Sequence, residues 1–213
     1  MKHILRLSLP KIYPLTDTSL SGLAHAEQVR ELIEGGASFV QIRDKDASSD
    51  EFYRSVDESM NVAAATGTKI IVNDRVDIAM ATGAHGVHLG QADLRPAEAR
   101  KLLGDRAIIG ISTHSIEQMK QALEMPVDYI AFGPIWTTTT KEDPDPVVGL
   151  DLLHHVKNIS GNVPLVAIGG ITESNLAATI SAGADCVAII SDLYRGPDSI
   201  ADRYRRLSET ASV

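Results

Sequence analysis

Short apolar runs, rich in Val and Ile, recur along the chain at a near-even spacing. They fall at 12–15 (IYPL), 39–42 (FVQI), 69–72 (KIIV), 86–89 (GVHL), 107–111 (AIIGI), 129–132 (YIAF), 165–168 (LVAI) and 186–190 (CVAII). Each is too short for a helix and has the composition of a strand buried on both faces. The stretches between them change period. AHAEQVRELIEGGA (24–37), DEFYRSVDESMNVAAATG (50–67) and ESNLAATISAGAD (173–185) place apolar residues about 3.6 apart or open on a cap, and each carries glycine towards its end. GGAS, TGAH and AGAD stand just before three of the runs, and in each a glycine can stop a helix in a left-handed turn.

Eight strand–helix repeats without a long linker predict a parallel α/β protein. A closed (β/α)8 TIM barrel and an open doubly wound sheet both satisfy the pattern; the count of eight and the even period favour the barrel. The chain has 213 residues, fewer than the roughly 250 typical of such barrels, so its loops are expected to be minimal. The reading is a single domain over 1–213, with its barrel core at about 11–207. One segment breaks the economy: AFGPIWTTTTKEDPDPVVGL (131–150) carries four consecutive threonines, a lysine and alternating acids and prolines. A long loop in a frame of short ones marks function.

A net charge of −8 argues against a nucleic-acid or anionic-membrane surface, so any anion site is a local cluster of cations. Cys186 is the single cysteine, which precludes an intramolecular disulfide. The N-terminal MKHILRLSLPKIY shows no cleavage pattern and no run reaches membrane-spanning length, so a cytoplasmic protein is expected.

Barrels of this class carry their chemistry where the strands end. Here the strand ends supply Thr16 and Asp17; Gln41, Arg43 and Lys45; Asn73, Asp74 and Arg75; Gln91 and Asp93; Ser112 and His114; the Thr–Lys loop; Gly169 and Gly170; and Ser191 and Asp192. Gln41, Arg43 and Lys45 share a parity opposite to Val40 and Ile42, which points the polar trio to the barrel mouth. A buried-side amide with two cations calls for an anion; a solvated strand end is the alternative. Asp74 and Asp93 close neighbouring strands. They suit a Mg²⁺ ion completed by phosphate oxygens and water, or ordinary salt bridges with Arg43 or Arg75. Gly169–Gly170 and Ile190–Ser191 fit a phosphate cradle of backbone N–H groups, or a tight turn alone. His85 and His88 are expected to be structural or surface groups. His114 is a weaker candidate for catalysis. His154 and His155 are placed on a solvated helix face, Cys186 in the core, and DRYRRLSE (202–209) on an exposed helix face. No Ser-His-Asp order or zinc-ligand spacing is recognisable.

In order along the chain, VQIRDKD, VNDRVDIA, GVHLGQADL, GISTHS, FGPIWTTTTK, VAIGGIT and VAIIS resemble the segments of the thiamine-phosphate synthase family. Any one segment is weak; the ordered set, spanning nearly the whole chain with Asp74, Asp93 and Lys141 present, is specific. The resemblance implies a TIM barrel that joins 4-amino-2-methyl-5-hydroxymethylpyrimidine diphosphate to 4-methyl-5-(2-phosphoethyl)thiazole. The products are thiamine monophosphate and pyrophosphate, with CO2 lost as well where a member takes the 2-carboxy thiazole. It implies that Gln41, Ile42, Arg43, Asp44, Lys45, Asn73, Ser112 and Lys141 hold the pyrimidine diphosphate, with Arg43, Lys45, Lys141 and Ser112 catalytic. Thr138, Thr139, Thr140, Gly170, Ile190 and Ser191 hold the thiazole phosphate, and Asp74 and Asp93 one Mg²⁺ per subunit. The partners are small phosphorylated substrates, with no nucleic acid or membrane, and a homo-oligomer is left open. If the threonine run is extended, Thr138 and Thr140 share one face. Pro14 and Trp136 depart from the family pattern. Pro14 is tolerable only where its missing N–H has no ladder partner. A thiazole tautomerase-like paralogue, an isomerase, would keep the thiazole-phosphate site and dispense with the diphosphate machinery. A non-catalytic thiazole-phosphate sensor would need neither carboxylate pair nor lysine. A sugar-phosphate isomerase rests on fold analogy alone.

Overall fold

The computed structural model describes residues 7–138 and 145–212. The apolar runs become strands β1 (Ile12–Pro14), β2 (Phe39–Ile42), β3 (Lys69–Asn73), β4 (Gly86–Leu89), β5 (Ile108–Thr113), β6 (Tyr129–Phe132), β7 (Leu165–Ile168) and β8 (Cys186–Ile189). Four of the eight keep the predicted bounds; three shift by one residue at one end and β5 shifts at both, where boundaries are least determined. Between them lie α1 (Thr18–Ser21), α2 (His25–Glu34), α3 (Ser49–Ala63), α4 (Val76–Thr82), α5 (Pro96–Leu103), α6 (Ile116–Leu123), α7 (Gly149–Ser160) and α8 (Glu173–Ser181). A 3-10 turn at Ser191–Tyr194 and α9 (Ile200–Thr210) follow β8. Local chemistry sets the starts: Ser48 accepts the amide of Glu51 ahead of α3, Ser115 that of Gln118 ahead of α6, and Ser199 that of Asp202 ahead of α9. The predicted glycine stops hold, with φ of 98° at Gly36, 67° at Gly83 and 113° at Gly183.

All strands pair in parallel in the order β1-β8-β7-β6-β5-β4-β3-β2. A bridge between Leu15 and Gln41, with Thr16 N–H donating to the Gln41 carbonyl at 2.9 Å, joins β1 to β2 and completes the ring. The barrel is therefore the architecture adopted, and the open sheet is excluded. Pro14 shares the parity of Thr16, whose N–H points to β2, whereas the N–H of Leu15 points to Ile189 on β8. Pairing with β2 begins only beyond Pro14, so its missing donor lies on the side where β1 has no ladder.

Strand parity divides the core in two. Val40, Ile42, Ile70, Val72, Val87, Leu89, Ile109, Ile111, Ile130 and Phe132 face outward and pack against the helices. Tyr13, Leu15, Phe39, Ile71, Tyr129, Ala131, Val166, Cys186 and Ala188 fill the interior. Gly110 is required inside: a Cβ there would lie 2.1 Å from Cζ of Tyr129. The N-terminal face of the barrel is closed by ion pairs. Asp128 accepts from Arg100 at 2.6 Å and from the Ile109 amide at 2.8 Å; Asp185 accepts from Lys157 and from the Leu165 amide. That leaves the C-terminal rim for chemistry.

Candidate active site

Two polar regions occupy that rim. The first lies over β2, β3 and β4. β2 ends at Ile42, so Arg43 and Lys45 sit in the loop beyond it. Parity nonetheless delivers Gln41 to the interior, where its Nε2 donates to the Tyr13 hydroxyl at 2.8 Å. Arg43 faces Asp17 at 3.9 Å, and Lys45 Nζ stands 2.9 Å from Asp74 Oδ2. The Lys45 side chain is more than half exposed, so this pair is weakly held and free to exchange for an anion. Asp44 turns the other way. Its Oδ1 accepts the amides of Asp46 and Ala47, and its Oδ2 lies 3.3 Å from His25 Nε2. Burial pushes this carboxyl up, but those amide donors and His25 outweigh it and hold it below the usual range. The Ile42 side chain is likewise buried against the helices, leaving its backbone to face the loop.

Asp74 has φ 61°, the one positive value at a non-glycine among the described residues. Arg75 N–H closes on the Asn73 carbonyl at 2.7 Å, and Asp74 N–H reaches across to the His88 carbonyl at 2.8 Å. This tight turn is sterically unfavourable for an L residue, and it aims the carboxylate at Lys45 and at Asp93. Asp93 Oδ2 accepts the Gly90 amide at 2.7 Å. Burial raises its carboxyl, and so does the Asp74 carboxylate, close enough for a shared hydrogen bond. Neither salt bridge anticipated for these acids forms: Arg43 faces Asp17, and Arg75 pairs with Asp77. Two mutually repelling carboxylates beside solvent fit a divalent cation, which relieves the repulsion. Among the described residues no group of three or more His, Cys, Asp or Glu could hold a metal. Two carboxylates are a donor set that Mg²⁺ accepts when phosphate and water supply the remaining ligands.

The second region is a hollow over β7 and β8, lined by Thr138, Gly169, Gly170, Ile190 and Ser191. Gly170 has φ 65°, and a Cβ there would stand 2.3 Å from the Thr137 carbonyl, so both conformation and space demand glycine. α8 begins just beyond, behind its N-cap Thr172, and its dipole favours negative charge nearby. Thr139, Thr140 and Lys141 lie outside the described residues, as do Glu142, Asp143 and Pro144. His114 touches both flanks of that segment. Its Nδ1–H donates to the Gly133 carbonyl at 2.6 Å, and its Nε2 is 3.5 Å from Asp145 Oδ2.

Between the two regions stands Ser112, whose Oγ is 2.9 Å from His88 Nε2. His88 is a structural group, one of the two expectations for it, and not a surface one. It is buried in the barrel, with Nδ1 2.9 Å from the Tyr129 hydroxyl, and burial lowers its pKa to about 4. Sequence reasoning passed over His25, whose Nδ1 lies 2.7 Å from Thr16 Oγ1. Thr16, His25 and Asp44 line up like a nucleophilic triad, but Thr16 is fully buried and receives the Arg43 amide at 3.3 Å. The trio shapes the Arg43–Lys45 loop and cannot attack a substrate. The expectation of an exposed face at 202–209 is corrected: Arg203, Tyr204 and Leu207 are buried, because Arg203 pairs with Asp192 and Glu173 beneath the hollow. His154 and His155 are exposed on α7, and Cys186 is in the core, as expected.

Residues 12–193 match the sequence profile described as thiamine monophosphate synthase. The thiamine-phosphate synthase of Koribacter versatilis is 42% identical over 208 residues, covering 94% of this chain and 97% of that one. Its counterpart in Caldicellulosiruptor saccharolyticus is 39% identical over 197 residues, covering 92% and 88%. The solved structure of the thiamine phosphate pyrophosphorylase of Pyrococcus furiosus superposes with a TM-score of 0.84 at 32% identity, over 95% of each chain. Sequence and fold agree: the chain belongs to the thiamine-phosphate synthase family.

Proposed function

We propose that this chain is a transferase that joins the pyrimidine diphosphate to the thiazole phosphate, yielding thiamine monophosphate and pyrophosphate. The observation that carries this reading is the pairing, on one rim, of a cation–carboxylate cluster with a separate glycine-lined hollow. The hollow at Gly170 and Ser191, with Thr138 at its edge, receives the monophosphate through backbone N–H groups. Arg43 and Lys45 take the diphosphate, exchanging their present partners Asp17 and Asp74 for phosphate oxygens. Asp74 and Asp93 would hold Mg²⁺, which would supply charge neutralisation for the leaving pyrophosphate. The ring-stabilised methylene cation left by C–O cleavage is trapped by the thiazole nitrogen, and no protein nucleophile is needed. The chain's contribution is to place the two rings and stabilise the departing charge. Lys141, next to the threonine run, completes the cation set in this reading. A buried lone Cys186 and the net charge of −8 support a cytoplasmic enzyme that works on small molecules and not on nucleic acid; no helix among the described residues is long and apolar enough to cross a membrane.

The test is direct. Both substrates with Mg²⁺ and purified protein are expected to give thiamine monophosphate and one equivalent of pyrophosphate. Binding of both without product would sink the proposal. Rearrangement of the thiazole without pyrophosphate release would point instead to an isomerase.

A further inference from the structure

Gln41 and Ser112 stand on different strands, yet a continuous line of hydrogen bonds joins them through the barrel interior. Gln41 Nε2 is 2.8 Å from the Tyr13 hydroxyl, which is 3.1 Å from the Tyr129 hydroxyl. Tyr129 is 2.9 Å from His88 Nδ1, and His88 Nε2 is 2.9 Å from Ser112 Oγ. Tyr13, Gln41, His88 and Tyr129 are all buried, and Ser112 is half-buried at the open end. The line is fixed by packing as well. Tyr13 meets Tyr129 edge-on at 6.0 Å, and Tyr129 stacks on the His88 ring at 5.5 Å. Neither phenol nor imidazole touches the rim cations, so the proposed chemistry leaves these three residues without a task.

Proton counting gives them one. Each phenol has a single hydrogen, and a neutral imidazole has a single N–H. Only two hydrogen arrangements satisfy every member. If the Gln41 amide donates to Tyr13, then Tyr13 donates to Tyr129 and Tyr129 to His88 Nδ1. His88 Nε2–H then donates to Ser112, whose own hydrogen is free for a ligand while Gln41 offers its carbonyl. In the reverse arrangement Ser112 donates to His88 Nε2 and offers only lone pairs, and Gln41 offers N–H. A mixed state leaves a buried donor or acceptor unpaired, which low dielectric makes costly. The Ser112 hydrogen is therefore free only when the Gln41 amide turns its nitrogen to Tyr13 and its carbonyl away, and it is engaged when the amide is reversed.

We infer that Tyr13, His88 and Tyr129 are positioning residues that couple the hydrogen-bond polarity of Gln41 to that of Ser112. The two ends then test a ring's donor–acceptor pattern as one unit. The inference rests on the reading of this site as the pyrimidine site. A 4-aminopyrimidine carries an exocyclic donor beside a ring-nitrogen acceptor; a 4-oxo ring carries the inverse pair. Coupled ends select between these as a whole, where independent ends would each adapt.

The experiment measures binding of 4-amino-2-methyl-5-hydroxymethylpyrimidine diphosphate, with Mg²⁺, by calorimetry. It uses the parent protein, Gln41→Met, Ser112→Ala and the double variant, each with and without Tyr129→Phe. With the line intact, the two end substitutions are expected to be non-additive by about 10-fold in Kd, and with Tyr129→Phe they become additive. Selectivity for the 4-amino over the 4-oxo diphosphate is expected to fall by about 10-fold with Tyr129→Phe. Tyr13→Phe cuts a different link and should do the same, so the test survives if one variant fails to fold. Additivity in the parent background, coupling unchanged by either cut, or unchanged selectivity overturns the inference. Failure of the parent to bind the pyrimidine diphosphate overturns both this inference and the functional reading. Binding with additive ends overturns this inference alone.

Discussion

Asp74 concentrates the tension of the site in one residue. Its φ of 61° costs an L side chain about 1 kcal/mol or more, and its carboxylate faces another carboxylate. Asparagine tolerates the same backbone and removes the charge. Asp74→Asn is thus expected to keep parental stability within about 0.5 kcal/mol and to raise the Mg²⁺ needed for half-maximal turnover by at least roughly 10-fold. Asp74→Ala should add a stability loss of about 1 kcal/mol in urea denaturation. A parental Mg²⁺ response in the Asn variant would remove Asp74 from the ligand set. The sequence named Asp74, Asp93, Arg43 and Lys45 because their spacing relative to strand ends is a local matter. It could not distinguish Asp44 from its neighbours, since only the fold brings His25 and the loop amides to that carboxylate. The partners of His88 and His25 were illegible for the same reason: Tyr129 and Thr16 belong to other elements.

At the level of elements, the hollow is held from behind. Arg203 on α9 donates through Nε to the Asp192 carbonyl at 2.9 Å and through its two Nη atoms to Asp192 and Glu173 at 2.5 Å. Glu173 N–H, the first of α8, accepts no freedom either, since it donates to Asp192 Oδ2 at 3.0 Å. One buried guanidinium thus ties α9, the 3-10 turn and α8 into a unit under Gly170 and Ser191. Arg203→Met leaves the buried Asp192 carboxylate with only the exposed Arg195 guanidinium, 3.9 Å away, as counter-charge, so a loss of about 3 kcal/mol is expected, together with weaker thiazole-phosphate binding. Chemical denaturation and calorimetry measure the two effects. A stability loss under about 1 kcal/mol would mean that this cluster behaves as an exposed pair. The sequence presented 202–209 as a charged helix face because charge pattern alone does not reveal which arginine turns inward.

For the whole molecule, the buried interior line has a signature in pH. His88 is held at about 4 against an ordinary 6.5. Between those values the unfolded chain binds a proton that the folded chain excludes, so stability falls as pH falls through this window and is unaffected above it. The contribution reaches roughly 3 kcal/mol by the lower end. His25 and His85, also lowered by burial, act in the same direction. Asp44, lowered below its ordinary 3.8, acts only in more acid solution. Urea denaturation of the parent at pH 7 and pH 4.5 should therefore give a clear drop, and His88→Gln should flatten that dependence whatever its absolute stability. An equal slope in the two proteins would show that His88 titrates normally.

The sequence by itself determined the element order, the parallel α/β class with the barrel favoured over an open sheet, and the strand ends to which its candidate residues belong. Each of these follows from periodicity, glycine stops and strand parity, which act over a few residues. The tertiary structure decided what depends on strands far apart in the chain. It brought Tyr13 and Tyr129 to bonding distance across 116 residues of separation, turned Asp44 inward and Asp74 outward, and set Arg203 beneath the hollow. Side-chain partnership inside a barrel is fixed by register and ring closure, and neither is written in any local stretch of the chain.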